Sequence, residues 1–155
     1  FNAEGGSNSG KTYLFLGASI ASGGTFSLSQ ADAFFAGESP GDLSGSSVSS
    51  AGDVDGDGLD DLLIGAAQGG GDAAAPEAGE TYLFFGSTVA SGGNFNLSVA
   101  DASFGGENSN DQSVWVVASA GEVDGDGRPD LLIGAPGNPD GGDEAGKAYL
   151  VLSPY

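Results

Sequence analysis

The apolar positions of this chain fall in short clusters separated by polar stretches rich in glycine, serine and aspartate, and the clusters return. Thr12-Tyr13-Leu14-Phe15 comes back as Thr81-Tyr82-Leu83-Phe84 and again as Tyr149-Leu150. Leu62-Leu63-Ile64-Gly65-Ala66 comes back as Leu131-Leu132-Ile133-Gly134-Ala135. Short apolar runs bounded by turn residues predict strands, and 30 glycines argue against long helices. For the central unit the expected strands are 46–51, 62–66, 81–85 and 94–97, with Gly- and Asp-rich turns such as 69–79 between them. Tyr82-Leu83-Phe84-Phe85 and Leu131-Leu132-Ile133 are apolar throughout instead of alternating. A strand of that kind is buried on both faces of its sheet. A four-stranded antiparallel sheet covered on both sides needs one sheet before it and another behind it, as radially packed propeller blades provide.

The recurrence has a fixed period. Shifting the chain by 69 positions lays residues 11–67 on 80–136 without a gap, with 35 identities in 57 pairs, and the Tyr-Leu cluster returns a third time after 67. Long-period repetition points to propellers, solenoids or arrays. Counted in strands, the chain holds the last two of one blade, a complete blade and three of another. The expected division is residues 1–35 for the first, 36–104 for the second and 105–155 for the third, about two and a quarter blades in all. A closed propeller has about four to eight, so further blades are expected from a longer chain or from neighbouring copies. A chain that opens on Phe1 reads as a mature or excised piece.

Within each period the connection between the first two strands carries the chemistry. Asp53-Val54-Asp55-Gly56-Asp57-Gly58-Leu59-Asp60-Asp61 and Glu122-Val123-Asp124-Gly125-Asp126-Gly127-Arg128-Pro129-Asp130 place carboxylates at positions 1, 3, 5 and 9 and glycine at 4 and 6. Four like charges in so short a loop repel unless a cation sits among them. Ca²⁺ fits, because it accepts six to eight oxygens in flexible geometry, backbone carbonyls included. The expected protein oxygens are those of Asp53, Asp55, Asp57, the Leu59 carbonyl and Asp61, and of Glu122, Asp124, Asp126, the Arg128 carbonyl and Asp130. The alternative is a pair of acidic surface turns, since Asp and Gly are common turn residues. Glu122 differs from its twin Asp53 by one methylene, so the second site is expected to be the weaker. An EF-hand would need a bidentate Glu at position 12, where this chain has Ile64 and Ile133. Calcium-binding parallel β-helices repeat every nine residues instead of 69.

Composition narrows the function classes. Twenty-two acidic against three basic residues give a formal charge of −19, which repels nucleic acid and anionic membranes and attracts divalent cations. Cysteine, histidine and methionine are absent, so disulfides, thiol or imidazole catalysis and N- or S-ligated metals are excluded. No segment approaches the roughly 20 apolar residues of a membrane span. Glu38, Asp42, Glu107 and Asp111 could in principle form acid–base pairs, but their recurrence reads as turn chemistry. Trp115 is expected to pack between blades. Asn96-Leu97-Ser98 is an N-glycosylation sequon.

Phe35-Ala36-Gly37-Glu38, Phe104-Gly105-Gly106-Glu107 and Leu-Leu-Ile-Gly-Ala-Pro at 131–136 resemble the FG-GAP repeat of integrin-alpha-type β-propellers and their bacterial relatives. The resemblance implies an all-β fold of four-stranded antiparallel blades, with Ca²⁺ in the hairpin between the first two strands of a blade. It supports three functional readings. The first is a non-catalytic, calcium-stabilised module, extracellular or at the cell surface, that serves adhesion, display or binding of an unspecified protein or glycan. The second is a repeat unit of an extracellular fibre or surface layer. The third is an accessory domain of a secreted hydrolase.

Overall fold

The computed structural model describes residues 6–69, 78–109, 114–142 and 145–153, and among these ten strands form three stacked sheets. The central sheet is a four-stranded antiparallel blade. It consists of β3 (Ser44–Gly52), β4 (Asp61–Ala66), β5 (Glu80–Phe84) and β7 (Ala102–Gly105), hydrogen-bonded in that order. The sheet before it holds β1 (Lys11–Leu14) and β2 (Ala33–Ala36), antiparallel, with β6 (Gly93–Asn96) added along β2. The sheet after it holds β8 (Val116–Gly121), β9 (Asp130–Ala135) and β10 (Lys147–Val151), with β9 in the middle. The expected turn at 69–79 lies mostly outside the described residues, as do Asp111 and the first five residues.

One expected strand is assigned differently. Residues 94–97 do fall largely in a strand, but it is not the fourth of the central blade. That place belongs to β7, which pairs antiparallel with β5 through Tyr82↔Ser103 and Thr81↔Phe104. β6 pairs in parallel with β2 of the preceding sheet, where Phe95 stacks on Phe35 at 5.2 Å between ring centroids. The connection between third and fourth strands thus reaches back over the previous blade and fastens the two together. It is shaped by a one-turn helix at Gly86–Val89 and a 3₁₀ turn at Leu97–Val99. Asn96 caps that turn, its Oδ1 accepting from Ser98 N and its Nδ2 donating to Gly37 O, so the sequon's amide is already engaged.

Two apolar cores lie between the sheets. Ile64, Tyr82, Phe84, Val89 and Leu97 of the central blade pack against Ala33 and Phe35 of the first sheet. Leu63, Leu83 and Ala51, on the opposite face of the same blade, pack against Val117, Leu131 and Ile133 of the third. Adjacent residues of β4 and β5 therefore enter different cores, which is why those strands are apolar throughout. The third sheet departs from the expectation of burial on both faces. Leu132 occupies the repeat position of Leu63, yet it is 42% exposed where Leu63 is fully buried. Trp115 is also 59% exposed, so the expected packing between blades is not found among the described residues.

Candidate metal centres

The two acidic loops are hairpin connections, from β3 to β4 and from β8 to β9. Their geometry begins with the glycines. Gly56 and Gly58 have φ of +77° and +91°, and Gly125 and Gly127 have +92° and +89°. A β-carbon disfavours that left-handed region, so glycine at positions 4 and 6 lets the chain curl inward with its carboxylates on the concave side.

Position 9 anchors each loop. Asp61 is fully buried and accepts from Val54 N at 2.8 Å and from Gly86 N at 2.7 Å. Asp130, equally buried, accepts from Val123 N at 2.8 Å and from Ser153 N at 2.9 Å. Each carboxylate thus ties its own loop to the second residue beyond the third strand. Gly86 and Ser153 were not singled out from the sequence. The signal that could have found them is that they share one repeat position, just beyond recurring Tyr-Leu clusters. Burial pushes the Asp61 carboxyl up, the two backbone donors pull it down, and Asp55 and Asp57 push it up further; the net direction is upward.

Asp53, Asp55 and Asp61 each bring one carboxylate oxygen within 4.8 Å of the others, and Glu122, Asp124 and Asp130 do the same. Asp57 and Asp126 stand outside these groups. Each accepts from the backbone N–H two residues on, that of Leu59 or Arg128, at 2.8 Å. Asp126 also accepts from Ser153 Oγ at 3.2 Å. Leu59 lies on the exposed part of its loop. The Arg128 side chain crosses to the other loop, where Nη1 donates to Val54 O at 3.4 Å. Pro129 beside it lies against Gly52, where an added β-carbon would come within 2.7 Å of the ring. The second loop therefore roofs the first, and Val54 is buried while its repeat partner Val123 is 54% exposed.

The loops differ at position 1. Asp53 Oδ2 accepts from Gly58 N at 2.9 Å, whereas the longer Glu122 turns to Gly125 N. Asp53 Oδ1 is buried with no hydrogen-bond partner among the described residues. A buried carboxylate oxygen without a donor is costly. A cation bound by the neighbouring carboxylates would satisfy it, so the first loop's donor set fits a hard, oxygen-seeking ion.

Two of the other recurring carboxylates are engaged close to their own strands. Asp42 Oδ2 accepts from Ser39 N at 2.7 Å and closes a turn. Glu107 pairs with Lys147 at 2.7 Å.

The FG-GAP repeat family matches the chain over residues 44–84 and 113–151, about half its length. Each match runs from the first strand of a blade through the acidic loop to the third strand. No curated protein matches the chain.

Proposed function

Because the chain belongs to the FG-GAP repeat family, whose repeats form β-propeller blades, we propose that it is a non-catalytic calcium-binding module, extracellular or at the cell surface, serving adhesion, display or ligand binding. The observation that carries the calcium reading is the buried, partnerless Asp53 Oδ1 beside two converging carboxylates. Asp53, Asp55, Asp57, the Leu59 carbonyl and Asp61 would hold one ion, and Glu122, Asp124, Asp126, the Arg128 carbonyl and Asp130 a second. The bound ion would supply charge neutralisation and tie together loops that are otherwise held mainly by backbone donors. Ligand recognition would belong to the exposed loops, because a propeller scaffold does not itself specify a partner. Calorimetric titration with CaCl₂ tests the reading. Two sites are expected, at affinities around the 10⁻⁴–10⁻³ M usual for extracellular modules; no binding heat at millimolar calcium would refute it.

A second reading, a repeat unit of an extracellular fibre or surface layer, is favoured by the apolar side chains left uncovered on the third sheet. Leu132 and Leu150, directly paired across β9 and β10, are 42% and 48% exposed. The proposed module repels nucleic acid through its −19 charge. No helix among the described residues is long and apolar enough to cross a membrane.

A further inference from the structure

The three basic residues of the chain are Lys11, Arg128 and Lys147. The two lysines open third strands, whereas Arg128 stands inside an acidic loop, at position 7 of the second. The calcium ligand expected at position 7 is the main-chain carbonyl, so the ligand role does not account for the side chain.

Exposure runs in opposite order along the two loops. In the first, residues 52–55 are buried or half-buried and 56–60 are exposed. In the second, residues 121–127 are exposed, while Arg128 and Pro129 are half-buried. The covered end of the second loop lies on the covered start of the first. A β-carbon on Gly52 would come within 2.7 Å of the Pro129 ring, and one on Gly56 within 2.6 Å of the Arg128 guanidinium. Between these two points the Nη1 of Arg128 donates to Val54 O at 3.4 Å. At Gly121 and Gly125, the same positions of the second loop, a β-carbon would meet nothing within 4 Å among the described residues. The base of the arm is itself held, because Arg128 N donates to Asp126 Oδ1 at 2.8 Å and the buried Asp130 follows two residues on.

Asp53 lies inside the stretch that this arm covers, and its Oδ1 is the buried oxygen without a donor. Its counterpart Glu122 is exposed. We propose that Arg128, supported by Pro129, is a positioning residue for the first calcium site, which is therefore built from two blades. The proposal rests on the calcium reading of the loops and adds a determinant of affinity that lies outside the ligand set. The side chain acts through the backbone of the first loop. A loop already held in its binding shape loses less freedom when the ion arrives. Covering the stretch around Asp53 also keeps water from its carboxylate, which strengthens the attraction for a divalent ion. The charge of the guanidinium by itself opposes a nearby cation. The sign of the effect of truncation therefore separates bracing, which favours binding, from simple repulsion, which disfavours it.

Calorimetric titration of the full 155-residue chain with CaCl₂ tests this. Asp55→Ala, which removes the first site, and Asp124→Ala, which removes the second, assign the two transitions. Arg128→Ala should weaken the first site about tenfold or more, as loss of a residue supporting metal ligands commonly does. The second site should be unchanged, because the variant keeps the carbonyl of position 7. Arg128→Lys, which keeps the charge and a donor but not the planar fork, should fall between wild type and alanine. A first site as tight as wild type, or tighter, in Arg128→Ala would overturn the proposal and leave the calcium reading standing. Equal weakening of both sites would also overturn it, since that is what a general loss of stability produces. A wild-type chain that binds no calcium would overturn both the proposal and the reading beneath it.

Discussion

Asp61 and Asp130 hold their loops through four backbone donors, so they should matter even without a cation. Asp61→Ala leaves Val54 N and Gly86 N without their acceptors. In chelator it should cost about 2–4 kcal/mol and lower the melting temperature by about 5–15 °C. A denaturation curve of the variant in EDTA checks this. Position 1 is where the two proposed calcium sites should differ. Glu122 is turned toward Gly125 N, whereas Asp53 is turned toward Gly58 N, and the longer side chain loses more rotamer freedom on being fixed. Glu122→Asp should therefore tighten the second site about threefold or more, roughly 0.7 kcal/mol, and leave the first unchanged in a calorimetric titration. At this scale the loops were legible in the sequence, because the spacing of carboxylates and glycines constrains them directly. Val54 N, Gly86 N and Ser153 N were not legible as partners of position 9, since a backbone donor carries no residue signature.

The strands show where sequence reading stops. The apolar runs located β4, β5 and β9, and the acidic loops fixed the β3–β4 and β8–β9 hairpins. The fourth strand was misplaced because Asn94-Phe95-Asn96-Leu97 and Ala102-Ser103-Phe104-Gly105 are both short segments in which polar or small and large apolar residues alternate. Only the tertiary arrangement shows that the first of them pairs with the neighbouring sheet. The starts of the third strands also carry information that the repeat makes readable. Glu80 opens β5 where Lys147 opens β10. Lys147 pairs with Glu107 and Asp140, each at 2.7 Å, and holds the Glu107 carboxyl below its usual range. Glu80 instead faces Glu38. Burial first, then repulsion from Glu80, pushes the Glu38 carboxyl up, and burial does the same to Asp42. A raised carboxyl binds its proton more tightly in the folded chain than in the unfolded one. Its contribution is therefore fully present below the ordinary values of 4.5 and 3.8 and is lost as pH rises through the raised ones. Glu80→Lys should flatten that loss and raise the melting temperature at pH 7 by about 1–3 °C. Melts from pH 4 to 8, run beside the wild type, decide it; an equal or steeper loss in the variant would contradict the assignment.

For the whole molecule, a formal charge of −19 on 155 residues is a standing repulsion that only counter-ions relieve. Eight of the 22 carboxylates sit at the ligand positions of the two loops, so calcium would act where the charge is densest. In chelator, raising NaCl from low concentration to about 0.5 M should stabilise the chain by screening, and the gain should shrink once calcium is present. The stacking of three sheets was legible from strands apolar on both faces. The measurement that tests the central claim most directly is a pair of calorimetric melts of the unmodified chain, one in EDTA and one in millimolar CaCl₂. Two loops that bind calcium only when folded stabilise the native state by mass action. The melting temperature should rise by about 5 °C or more, and further with each increase in calcium up to saturation. Superimposable melts in EDTA and in calcium would contradict the account and leave the two loops as acidic turns.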